Sequence, residues 1–206
     1  MMAKFALCIN TQDAPVAVQV AAGLSMVPIE QLFFTTPTRL IDRAFCETDR
    51  STLQLLPYIV LKSEDQKIFC YHRGDAGAED RLHGKLSIGL GGHVDISPEG
   101  DSSLYEVLID ETEREFAEET GILANPILGG HSVFKFTDFL VDFNDDVGSV
   151  HLGLLTSYWA SDSEIAIMRE EKGIVEKGSF MTLAELRAPE VHARLENWSR
   201  VIVDNM

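Results

Sequence analysis

Residues 113–122 read EREFAEETGI, four glutamates in seven positions with only Arg114 to offset them. The stretch ends at Gly121, a natural helix stop, so it reads as the last turns of a helix over residues 103–120. Advancing about 100° per residue from Leu104 puts Val107 and Leu108 on the same arc. The arc continues into Glu111, Glu115, Glu118 and Glu119, while a second stripe, Tyr105, Ile109, Thr112 and Phe116, stays mostly apolar. One inward face thus turns from aliphatic to carboxylate toward the C-terminus. Like charges at these spacings repel by roughly 0.2–0.5 kcal/mol per pair, and each faces the negative end of the helix dipole at roughly 0.3–1 kcal/mol. No Lys or Arg sits at i±4 on that arc to neutralise it. A solvated acidic face is the bland reading; a divalent cation with oxygen ligands is the one that removes both penalties.

The charge distribution agrees. Between Asp95 and Glu119 stand ten acids and one base, a net of −9 out of −16 for the whole chain. Such an acidic protein lacks the basic face that a nucleic-acid backbone requires. With 206 residues, 45% of them apolar, the chain can bury a proper core. It contains no apolar run long enough to span a bilayer, and its N-terminus is a poor signal peptide. Cys8, Cys46 and Cys70 are widely spaced and show no CxxC pair, so they read as reduced thiols and the protein as cytoplasmic.

Residues 1–50 are read as an N-terminal extension packed on the core formed by 51–206. In the extension PVAVQVA alternates like a strand, and TPTRLIDRAF suggests a helix capped by Thr36. From residue 57, YIVLK and KIFCYHR read as strands joined by the turn SEDQ. KLSIGLGGHVD runs from a strand into a glycine turn. HSVFKFTDFLVDF and SVHLGLLTSYWA read as an antiparallel pair, with DFNDDVG as a hairpin turn rather than a calcium loop. TLAEL opens a short helix with a Thr182–Glu185 capping box, and PEVHARLENWSRVIVDNM reads as one amphipathic C-terminal helix. GLGG precedes a polar loop, not a helix, and is no dinucleotide fingerprint. Strands and helices without regular alternation imply an α+β fold with a mixed sheet.

Gly100, five residues, Glu106, seven residues and REFAEETGI match, position by position, the box that defines the Nudix hydrolases: Gly100, Glu106, Arg114, Glu115, Phe116, Glu118, Glu119, Gly121 and Ile122. The chain therefore resembles that family from about residue 55 to 187. The resemblance implies an α/β/α sandwich and a hydrolase of a diphosphate linkage in a nucleoside diphosphate joined to a group X. It further implies that Glu115, Glu118 and Glu119 ligate Mg²⁺ or Mn²⁺, that Arg114 orients them, and that a glutamate serves as general base. Glu118 and Glu115 are the candidates inside the box, and Glu176 is the candidate outside it. One departure stands out. The strand-ending glycines here are Gly91-Gly92, so the loop 93–102 reads as an insertion, and the strand-end role, a backbone carbonyl to metal, falls to Gly91 or Gly92. Glu106 has two competing roles, capping-box partner of Ser103 or ion-pair partner of Arg114.

Arg81 and Lys85 are candidates for gripping substrate phosphate, and His93 for reaching metal or substrate, although a mixed-charge loop and a turn residue are the plain readings. His151 on an apolar strand reads as a satisfied core histidine. The expected partner is a small-molecule nucleotide or diphosphate, with no membrane; many relatives dimerise, so a homodimer is also among the expectations. Two other functions fit the same fold. An isopentenyl-diphosphate-isomerase-like enzyme would use Cys70, and a non-catalytic nucleotide sensor would usually have lost box glutamates that this chain retains.

Overall fold

The structure is a computed structural model and describes residues 4–73, 84–96, 102–124, 132–168 and 178–206. Its strands and helices run in the order β1 (Phe5–Asn10), α1 (Val16–Gln19), β2 (Leu24–Pro28), β3 (Arg39–Asp42), α2 (Arg43–Cys46), β4 (Thr52–Ser63), β5 (Ile68–His72), β6 (Leu86–Ser87), β7 (Gly89–Leu90), α3 (Leu104–Thr120), β8 (Asp138–Asp142), β9 (His151–Ala160), α4 (Asp162–Met168), β10 (Gly178–Met181), α5 (Leu183–Leu186), α6 (Pro189–His192) and α7 (Asn197–Asn205). Its class is α+β with a mixed sheet, as expected: β1 with β3, β5 with β10, and β8 with β2 and β9 form antiparallel ladders, and an isolated parallel bridge joins Leu86 to Leu195. Among the described residues no helix is long and apolar enough to cross a membrane.

The chain divides into two compact units. The first comprises Met1–Tyr58, Gly91–Thr112 and Phe134–Thr156. In it β1 lies between β3 (Leu7↔Leu40) and the start of β4 (Ile9↔Leu53), burying Ala6 to Ile9 in sequence. β8 pairs with both β2 (Phe139↔Val27) and β9 (Phe139↔Leu154). Phe33 sets its ring edge-on to Phe139 at 4.7 Å, and Phe34 does the same to Tyr105 at 4.8 Å. These aromatic pairs fasten the 3₁₀ turn Gln31–Thr35 and the first turn of α3.

Two expectations for the N-terminal region fail here, each for a local reason. PVAVQVA is not a strand: Val16–Gln19 is a helical turn that buries Val18 and leaves Val16 and Val20 outside. Pro15 favours this start, and the Gln19 side chain ties the turn by donating to the carbonyls of Gln12 and Ala14. TPTRLIDRAF does not form one helix either. Thr36 closes the preceding 3₁₀ turn, its N–H donating to Phe33, and Arg39–Asp42 becomes β3 because β1 offers it a complete ladder. Helix α2 begins only after Asp42, whose carboxylate accepts from the Ala44 N–H at 3.0 Å.

The second unit comprises Ile59–Leu90, Glu113–Val133 and Ser157–Met206. There β5 pairs with β10 (Phe69↔Phe180), β6 (Tyr71↔Ser87) and the end of β4 (Lys62↔Ile68), and β7 pairs with β4 (Ile59↔Leu90). The Thr182–Glu185 capping box forms as expected. The single C-terminal helix does not. It breaks into α6 and α7 because Leu195 leaves the helical path to bridge Leu86: the Leu86 N–H donates to Arg194 O, and the Glu196 N–H donates to Leu86 O, both at 2.9 Å. Glu196, buried, then starts α7 by accepting from the N–H groups of Trp198 and Ser199.

Candidate active site

Helix α3 supplies the carboxylates. Its entry is a reciprocal capping box: Ser103 N–H and Oγ donate to Glu106 Oε2 at 2.7 and 2.9 Å, and Glu106 N–H donates to Ser103 Oγ at 3.2 Å. Of the two roles open to Glu106 in the sequence, the structure takes this one. The backbone N–H of Ser103, then its hydroxyl, hold the Glu106 carboxyl below its ordinary range. Farther along, Leu104, Val107, Leu108 and Glu111 are buried, whereas Glu118 is exposed. The arc read from sequence therefore leads from core to solvent. Phe116 anchors the carboxylate-bearing half, its ring 4.6 Å from that of Tyr158, and Thr120 reaches back to the Phe116 carbonyl. Gly121, at φ +71°, then turns the chain out of the helix in a conformation suited to glycine.

The expectation that no base sits at i±4 to neutralise the acidic arc is corrected by the structure. Arg114, although off the arc, donates from Nη2 to Glu115 Oε1 at 2.7 Å and from Nη1 to Glu118 Oε2 at 3.0 Å. A long guanidinium reaches positions its Cα does not share. The Arg114–Glu118 pair is well exposed (side chains 37% and 62%) and contributes only about 0.3–0.5 kcal/mol. It orients the carboxylates more than it stabilises the helix.

Glu106, Gly91, Gly92 and His93 belong to the first unit; Lys85, Arg114, Glu115, Glu118 and Glu119 belong to the second. Gly91 has φ +130°, and a Cβ there would lie 2.3 Å from the Pro57 carbonyl oxygen. The strand-end glycine is thus required by both torsion and space. Three residues on, the Val94 carbonyl accepts from the Leu7 N–H at 2.7 Å, pinning the segment to β1. Lys85 precedes β6, and its carbonyl accepts from the Arg73 N–H. Arg81, Glu176 and Gly100 lie outside the described residues.

In the sequence His93 and His151 stand apart, one a candidate for reaching metal or substrate and the other a core histidine, and Glu47 carries no signal. The structure gathers them: one ligand atom from each lies within 4.8 Å of the others. The imidazoles meet edge to face with centroids 5.5 Å apart. Burial, followed by the positive charge of Arg43 and the presence of His151 and Lys4, pushes His93 down to about 3, so its ring is neutral at neutral pH. No spacing motif could reveal this trio, because its members are 46 and 58 residues apart.

Cys70 is buried in β5, and burial pushes its thiol up to about 11, only partly offset by Arg194. Cys8 and Cys46 are also buried free thiols.

No protein-family model matches the chain. It is 35% identical over 166 residues to protein YmaB of Bacillus subtilis, an alignment covering 81% of this chain and 77% of that protein. Among solved structures it is similar to Tm1382, described as a candidate Nudix hydrolase, with a TM-score of 0.69, 22% identity, and 98% and 97% of the two chains covered. A mutT/nudix family protein from Listeria innocua matches more loosely, with a TM-score of 0.43, 13% identity, and 73% and 88% covered. The chain belongs to one family with the Bacillus subtilis protein YmaB, and it carries the Nudix box on a Nudix fold.

Proposed function

We propose that this protein is a divalent-cation-dependent hydrolase that cleaves the phosphoanhydride bond of a nucleoside diphosphate–X type of small molecule. The observation that carries the reading is the crowding of Glu115, Glu118 and Glu119 into the last turns of α3, with Arg114 bridging the first two. The donor set fits the cation: carboxylate oxygens suit Mg²⁺ or Mn²⁺, which bind through a few carboxylates and the substrate's phosphates. When bound, such a cation spreads charge from the phosphoryl oxygens and lowers the pKa of an attacking water.

The chain's own residues supply the rest. Glu115, Glu118 and Glu119 would hold the cation. Arg114 keeps Glu115 and Glu118 turned the same way, so less ordering remains when the cation arrives. Glu106 fixes the helix entry through Ser103. Glu115, Glu118 and Glu176 are the candidates for taking the proton from water, and Lys85 and Arg81 for gripping phosphate. The buried, high-pKa thiol of Cys70 counts against the isomerase alternative, which needs that cysteine facing a substrate.

The test is a Mg²⁺-dependent screen over a panel of nucleotide conjugates, with products identified by mass and Glu118→Gln run in parallel. Cleavage of a diphosphate link that Glu118→Gln abolishes supports the proposal. Binding of a nucleotide without turnover in either protein would leave a sensor instead.

A further inference from the structure

We propose that Glu47, His93 and His151 form a site for a divalent transition-metal cation of the zinc type, separate from the carboxylates of α3. The inference is independent of the hydrolase reading, since all three residues lie in the first unit. Three unrelated segments supply the ligands: the residue following α2, the loop after Gly91-Gly92, and the first residue of β9.

The donors have the right chemistry. Two imidazoles and a carboxylate make a set that borderline-soft cations favour and that Mg²⁺, with its preference for oxygen, does not. His151 is oriented for the task. Its Nδ1 lies 2.7 Å from the Val147 carbonyl, which can only accept, so Nδ1 carries the proton. In the neutral ring this leaves the Nε2 lone pair for a metal, held as metal-binding histidines are usually held, by a carbonyl behind the ring. His93 offers a second nitrogen: its Nε2 is buried with no hydrogen-bond partner among the described residues. A buried imidazole nitrogen without a partner is costly, and a cation would satisfy it. Glu47 gives one oxygen to Arg43 at 3.1 Å and has a second for coordination. The ligand atoms span at most 4.8 Å. Modest side-chain rotation contracts that to the edges of about 3.3 Å that bonds of roughly 2.0–2.1 Å require. Water completes the coordination.

The consequence is mechanical. A cation here ties His93, one residue beyond Gly92, to α2 and β9, stiffening the glycine turn from behind.

The test uses the full chain stripped of metal and titrated with Zn²⁺ against a chromophoric chelator, with excess Mg²⁺ present to occupy the α3 carboxylates. One equivalent of Zn²⁺ is expected to bind. Affinity should fall by about a hundredfold or more in His93→Ala and Glu47→Gln, at least the upper end of what losing a supporting partner costs. It should be unchanged in Glu118→Gln. Because a histidine variant can misfold, a second measurement uses the unaltered chain: Co²⁺ in place of Zn²⁺ should give the intense visible bands of a four-coordinate nitrogen–oxygen site. Failure to bind Zn²⁺ beside Mg²⁺, binding lost in Glu118→Gln but kept in Glu47→Gln, or the weak spectrum of six-coordinate Co²⁺ would each overturn the proposal.

Discussion

Replacing Gly91 by alanine should be far more damaging than the same change at Gly84, although both have positive φ. At Gly84, φ is +76° and a Cβ would meet nothing within 4 Å. The cost there is only the left-handed backbone, about 1–2 kcal/mol. At Gly91, φ is +130° and the new Cβ would sit 2.3 Å from the Pro57 oxygen and 3.1 Å from its carbonyl carbon. Real Cβ atoms do not approach backbone so closely, so β4 or the turn must move. Strain of about 1–3 kcal/mol and overpacking of about 1–3 kcal/mol then add, giving roughly 4 kcal/mol. For a chain of this size that lowers Tm by about 8–16 °C, against about 2–8 °C for Gly84→Ala. Melts followed by circular dichroism measure both. Equal shifts would refute the reasoning, since torsion alone would then account for the whole effect.

Glu118→Gln should reduce Mg²⁺-dependent turnover by about 10²-fold or more while leaving the melting curve within a few degrees, measured by product release at saturating substrate. Glu196→Ala removes a buried cap that accepts from the Trp198 and Ser199 N–H groups, and should cost about 2–3 kcal/mol in urea denaturation. Glu106 should titrate below its ordinary value of 4.5 in carboxyl NMR. Because its folded pKa is the lower one, its contribution is present above about pH 4.5 and disappears as pH falls through the folded value. Ser103→Ala should return the titration toward 4.5; an unmoved midpoint would show that the capping box does not set it.

What could be read in the sequence and what could not follow from the range of the interactions involved. Helix α3 announces itself because its apolar stripe, its Ser103 cap and its Gly121 stop are all local. The box is legible for the same reason: its carboxylates share one helix. Strands β4, β5 and β9 are long apolar runs between clear turns. The N-terminal region hid its structure because Val16–Gln19 and Arg39–Asp42 take their form from Pro15, Gln19 and the exposed ladder of β1 rather than from intrinsic preference. The split between α6 and α7 depends on Leu86, more than a hundred residues away. The family resemblance implies that Arg114 orients the carboxylates, but the helical projection hides its pairing because Cα positions understate the reach of a guanidinium. Glu47, His93 and His151 were invisible as a group because only the fold assembles them.

The bridge between Leu86 and Leu195 also bears on how the chain is made. Leu86 uses its N–H and its carbonyl on Arg194 and Glu196, and the Ile88 N–H donates to Ser199 Oγ at 3.0 Å. Contacts of such sequence separation form late and slow the search for the native state. During synthesis, then, the backbone of β6 waits for residues more than a hundred positions downstream. A nascent chain halted before Leu195 has lost the partners of Leu86 and Ile88, and with them the closure of the second unit. A chain truncated before Leu195 should therefore be not a slightly shortened protein but a substrate for the cell's proteases.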